Sequence, residues 1–98
     1  MNVLLKIYHK MELKGKIIAV LPIKSGTSAK GEWKSQQYVL ETDEKYPKRL
    51  LFDVFGEDKI NEFGISKGEV VTVSYDTRAE EKDGHWYGSN RAWSVTRD

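Results

Sequence analysis

Tryptophans, lysines and amides interleaved along short strand-like runs are the side chains of this chain that could do chemistry, and that chemistry is non-covalent. An aromatic face stacks on a flat base, worth roughly 1–3 kcal/mol each, and lysine or arginine tracks an anionic backbone. Trp33, Lys34 and Gln37 fall in the stretch GEWKSQQYVLET, residues 31–42, whose first half is polar and whose second half reads as mid-strand. Lys24 and Lys30 sit in the loop-like KSGTSAKG just before it. Lys48, Arg49 and Phe55 bracket RLLFDVF, while Arg78, His85, Trp86 and Tyr87 flank AEEKDG.

Each candidate has a structural alternative. Trp33 is either a stacking platform or a ring packed under the first loop. Trp86 and Tyr87 are adjacent, so in a regular strand they face opposite ways, one toward the core and one outward. Trp93, with Val95, reads as a core ring, and Phe55 suits a barrel end or a subunit contact better than a base platform. The lysines are solvated charges unless they cluster. Glu80, Glu81 and Asp83 oppose a phosphate grip by the second hairpin.

Catalysis finds no foothold. His9 and His85 have no partner at motif spacing, and no set of His and carboxylates has metal-ligand spacing. Gly26 and Gly31 have the spacing of a phosphate loop, but Glu32-Trp33 follows where Lys-Ser/Thr is required. No G-x-S-x-G nucleophile motif occurs. The expectation is a non-enzyme with no cofactor, metal or small-molecule substrate.

The 98 residues make one domain. Hydrophobic content of 39% with eleven aromatics supports a folded core. The absence of cysteine excludes disulfides and thiolate metal sites and fits a reducing cytoplasm. No apolar run reaches the roughly 20 residues that span a bilayer. Net charge is +1 but uneven: residues 1–50 hold ten Lys/Arg against five Asp/Glu, and residues 51–98 hold six against ten. A basic face is compatible with that asymmetry.

These residues need strands to position them. Residues 1–10 read as an extension before a domain at 11–98, able to add an edge strand through Val3, Leu5 and Ile7. The first strand is expected over Leu13–Ile23, the second over Trp33–Thr42 and the third over Arg49–Phe55. On the third, Asp53 lies between Leu51 and Phe55, so that face is partly buried or covered by something else. The stretch GEDKINEFG changes to helical spacing, with Ile60 and Phe63 three apart, acids at the start and Gly64 as the left-handed cap. A fourth strand over Glu69–Arg78, a charged loop over Ala79–Gly84 and a last strand over His85–Val95 complete the chain. Five strands with one short helix after the third give the β-β-β-α-β-β order of an all-β, five-stranded OB-fold barrel. An SH3-like barrel would place its helical turn between the last two strands, where this chain has AEEKDG.

The segments MELKGKI, GEWKSQQYVLETDEKYPKRLLFDVFG, KGEVVTVSYDTR and HWYGSNRAW carry a resemblance over nearly all of residues 11–95. The chain resembles the single-stranded-DNA-binding branch of the OB-fold, and most closely a family of short bacterial and phage proteins labelled a domain of unknown function. The resemblance implies an OB-fold and a single-strand-binding role, with DNA as ligand and RNA as an alternative. Because OB-folds bind on strands 2 and 3 and the adjoining loops, the surface expected here is Lys24, Lys30, Trp33, Lys34, Gln37, Lys48, Arg49, Phe55, Arg78, Trp86 and Tyr87. Exposed Leu51 and Phe55 suggest a homo-oligomer. A protein-interaction module on the same barrel is the competing reading, and oligosaccharide binding a third. The chain stops three residues after Val95, so recruitment of partners through a long acidic tail is not expected.

Overall fold

The computed structural model describes residues 11–97, and the expectation for residues 1–10 lies outside them. The strands are β1 (Glu12–Val20), β2 (Lys24–Ser28), β3 (Gly31–Glu41), β4 (Arg49–Phe55), β5 (Val70–Lys82) and β6 (His85–Thr96), with helix α1 (Glu57–Phe63) between β4 and β5. The sheet runs β1-β5-β6-β4-β3-β2, and β3 also pairs with β1. That extra pairing, Lys16 opposite Glu41 through Val20 opposite Tyr38, returns the sheet to its first strand. Five strands thus close into the OB barrel, with β2 added outside the ring on β3.

Alternation decides what goes inside. On β4, Leu50, Phe52 and Val54 are buried, while Leu51 and Phe55 remain about half exposed. Ile17, Tyr38, Leu40, Val71 and Val73 meet them from the other strands. Tyr38 stacks on Phe52 with ring centroids 5.3 Å apart. Its buried hydroxyl donates to Gln36 Oε1 at 2.9 Å, and Gln36 Nε2 donates to the Leu21 carbonyl at 2.8 Å. Gln36 therefore satisfies the buried Tyr38 hydroxyl and a partly buried carbonyl of Leu21. Helix α1 contributes Ile60 and Phe63 to the core, as its spacing predicts, and Gly64 caps it at φ 49°.

Three expectations about the barrel strands fail here, each for a physical reason. The first loop is not a loop. Residues 24–28 pair with β3 from Lys24 opposite Ser35 to Ser28 opposite Gly31, a hairpin whose strand character comes from its partner rather than from β-propensity. The fourth strand does not stop at Arg78. β5 continues to Lys82, and Asp83-Gly84 alone makes the turn, at φ 52° and 81°. Positive φ at both central residues is the type I′ geometry that matches strand twist, and glycine takes the second position without strain.

The third failure is Trp93, which is 49% exposed rather than a core ring. The register jumps from Ser74 opposite Ser94 to Tyr75 opposite Ala92, so Trp93 is the extra residue of a β-bulge. Ala92 takes the buried position in its place. No helix among the described residues is long and apolar enough to cross a membrane.

Candidate nucleic-acid interface

Directly opposed residues of paired strands point to the same face. The registers therefore lay out the outer face of the barrel row by row. Gly26 opposes Trp33; Lys24, Ser35 and Phe55 form the next row; Gln37, Asp53, Arg91 and Asp76 form the third. Trp33, Phe55 and Arg91 make a contiguous column across these rows. Trp33 and Phe55 are near-parallel, with centroids 6.1 Å apart and 23° between planes, and the Arg91 guanidinium lies 4.7 Å from the Phe55 centroid.

Two features lock the column. A Cβ on Gly26 would come within 2.5 Å of the Trp33 ring, so only glycine lets Trp33 lie across β2. Arg91 Nε donates to Asp53 Oδ1 at 3.1 Å, which fixes the guanidinium over Phe55. The acid between Leu51 and Phe55 is thus covered by an arginine from β6. Of the two alternatives for Trp33, the packing one is what the structure shows: the ring lies on the β2 hairpin, with part of its surface left exposed.

Beyond the barrel, β5 and β6 continue as a two-stranded arm from Asp76 opposite Arg91 to Lys82 opposite His85. Its regular register puts Arg78 and Tyr87 on the ribbon face of Arg91, and Trp86 on the reverse face with Asn90. Trp86 is 69% and Tyr87 58% exposed. The expectation that one of them is core is overturned, because the arm has no core beneath it. Glu80, Glu81 and Asp83 occupy the same arm, all exposed.

The remaining candidates divide by position. Lys24 shares the face of Trp33 and Phe55, and Lys30 lies in the turn of the β2–β3 hairpin. Lys34 points to the other face of β3. Its ammonium pairs with Glu57 at 3.0 Å, and that hydrogen bond holds it above lysine's ordinary range. Gln37 lines a shallow cleft with Leu51, Asp53 and Asn90. Lys48 pairs with Glu44 at 3.7 Å and Arg49 with Glu41 at 3.0 Å. These two lie at the opposite end of β4 from Phe55, roughly 20 Å away at about 3.3 Å per residue. The structure therefore gathers Lys24, Trp33, Gln37, Phe55, Arg78 and Tyr87 along one surface and leaves Lys34, Lys48, Arg49 and Trp86 off it.

Sequence reasoning missed Arg91 and Trp93, which line an open groove of about 830 Å³ with Phe55, Lys59 and Arg78. It also missed Tyr46, 77% exposed in the β3–β4 turn. The lone acid on the outer face of β4 was the one sequence signal that pointed to Arg91.

A family described as a domain of unknown function, DUF3127, matches residues 12–96. Among curated proteins no relative matches. The fold is similar to that of Rim1, the mitochondrial single-stranded DNA-binding protein of S. cerevisiae, at TM-score 0.67 and 21% identity over 92% of this chain and 95% of that one. It is also similar to the SSB domain of a Synechococcus protein, at TM-score 0.62 and 10% identity over 94% and 98% of the two chains.

Proposed function

This chain belongs to the DUF3127 family, and we propose that it binds single-stranded DNA, without sequence preference, on the outer face of β3 and β4 and the arm that continues from it. The observation that carries the reading is the column of Trp33, Phe55 and Arg91, flanked by Lys24 and Arg78, on an OB barrel. Rings accept bases whatever their sequence, and cations follow the phosphates between them. Rim1, whose fold is similar, is a single-stranded DNA-binding protein, and the Synechococcus neighbour is an SSB domain, which supports the same ligand class here.

The mechanism is displacement of water from exposed ring surface by bases, with Lys24 and Arg78 neutralising adjacent phosphates. Arg91 is partly engaged by Asp53 and acts as a rigid plate rather than a mobile counterion. Lys34, paired with Glu57 at 3.0 Å on the other face of β3, and Lys48 and Arg49, at the far end of β4, add little. The exposed Val20 and Ile23, away from that column, and Leu51 suit contact with a second copy, so a homo-oligomer is part of the proposal.

Titrating the protein with oligo-dT at low salt tests the reading through its tryptophan fluorescence. Quenching that saturates at micromolar protein is expected. Unchanged emission and unchanged anisotropy of a labelled oligonucleotide at high micromolar protein overturn it. The acidic arm, with Glu80, Glu81 and Asp83, favours a protein ligand in that event.

A further inference from the structure

We propose that the groove between α1 and the root of the arm is a nucleotide subsite, in which a base lies on Trp93 and its phosphate sits between Arg78 and Lys59. The inference rests on the single-strand-binding reading and extends it to residues outside the β3–β4 face. The groove is open, about 830 Å³, and its lining includes Phe55, Arg78, Arg91, Trp93 and Lys59 of α1. Ligand sites commonly fall within 300–1,000 Å³.

Three observations select a nucleotide. The β-bulge turns Trp93 outward, leaving its ring 49% exposed, and no aromatic or cationic group of the described residues stacks on it. A large ring held out of the core by backbone geometry is a platform in want of a flat partner. Arg78 has no carboxylate partner among the described residues, and Lys59 makes an exposed 3.5 Å contact with Glu62 and lies 5.8 Å from the Phe63 ring centroid, contacts a phosphate can compete with. These two cations come from different elements and face one groove, against one lining acid, Asp76. A flat apolar ring next to two available cations matches an aromatic base joined to a phosphate.

Phe55 and Arg91 belong both to the outer-face column and to the groove lining, so the two surfaces are continuous. A strand crossing Trp33 and Phe55 can place its next nucleotide in the groove without passing the acids of the arm tip. Asp53, the acid in between, is already taken by Arg91.

The test is anisotropy of labelled oligo-dT and oligo-rU with the intact chain and with the variants Trp93→Ala, Trp93→Phe and Arg78→Gln, each checked for an unchanged melting temperature. Trp93→Ala should weaken dT binding about tenfold, the range of one stacked base. Trp93→Phe should keep most of the affinity, because it keeps a ring. Arg78→Gln should weaken binding several-fold and flatten the slope of log affinity against log salt by about 0.7, one phosphate on a single strand. Equal losses with rU identify a nucleotide site indifferent to the 2′-hydroxyl, and losses confined to dT identify a deoxynucleotide site. If the intact chain binds and both Trp93→Ala and Arg78→Gln bind as it does, the groove assignment is wrong while the single-strand reading stands. If the intact chain binds neither oligonucleotide, both readings fall.

Discussion

Gly26 and Trp33 face each other across the β2–β3 hairpin so closely that the ring occupies the space a side chain would need. Gly26→Ala therefore forces Trp33 off β2 and away from Phe55. Overpacking of this kind costs about 1–3 kcal/mol, so a melting temperature several degrees lower and a shifted tryptophan emission are expected. An unchanged spectrum would mean that the ring does not lie across the strand. Arg97 offers a second residue-level test. Its guanidinium donates to the Phe63 carbonyl at 2.6 Å and to both carboxylate oxygens of Glu69, at 2.9 and 3.1 Å, tying β6's end to the C-terminus of α1. The Arg97 hydrogen bond, helped by the Ser66 N–H, holds the Glu69 carboxyl below the ordinary carboxylate range. A lowered carboxyl pKa contributes stability above the unfolded value, and that contribution disappears as pH falls through the folded one. Glu69→Gln should therefore cost about 1 kcal/mol at pH 7, the size of one partly exposed charge-assisted bond, and almost nothing at pH 2–3. Melts at the two pH values check the difference.

At the level of elements, the arm separates two rings that the sequence places side by side. Tyr87 shares the ribbon face of Arg78 and Arg91, and Trp86 does not. Neither touches the core, so alanine at either position should leave the melting temperature within about 2 °C, as for exposed sites generally. Tyr87→Ala should weaken oligo-dT binding several-fold and Trp86→Ala less than twofold in the same anisotropy titration. Equal effects would show that the strand does not follow the Arg91 face.

The elements also show what was legible in the sequence and what was not. The span of β4 and the capped helix α1 were readable because local alternation, a three-residue apolar spacing and a glycine cap agree with the tertiary outcome. KSGTSAKG was misread because its strand state is imposed by pairing with β3. Trp93 was misread because a single extra residue inverts the faces of a strand, and nothing local announces a bulge. Trp33 was legible as a surface candidate, but the Arg91 that covers its neighbour Phe55 lies 36 positions beyond Phe55 and no local pattern links them.

For the molecule as a whole, the basic first half does not become a uniformly basic surface. Lys34 and Arg49 are each paired with a carboxylate at 3.0 Å, Lys48 lies off the face at the far end of β4, and the arm carries three acids near its tip. Few cations remain for phosphates along this surface: Lys24 and Arg78 on the face, Lys30 in the hairpin turn beside it and Lys59 at the groove. At about 0.7 per phosphate on a single strand, three or four neutralised phosphates give a slope of roughly −2 to −3 in log affinity against log salt. Titrations between 50 and 300 mM salt measure it. A much steeper slope would require a larger cationic track, such as one assembled across several copies.

The closure of the barrel has a further consequence. β4 and β6 run parallel and share one residue pair in register, Asp53 opposite Arg91, supplemented by their ion pair and by the Asn90 amide on the Leu51 carbonyl at 3.0 Å. The β5–β6 and β3–β4 ladders are far longer. The barrel is thus a ring with one thin link, and thermal opening should begin there, at a free energy well below that of global unfolding. Amide hydrogens along that seam should exchange with solvent sooner than those in the middle of β3 or β5. Because Arg91 both bridges the seam and faces the proposed ligand, a bound strand lying across it would act as a clasp. Slower exchange at the seam on adding oligo-dT, with the rest of the barrel unchanged, is the signature of that clasp.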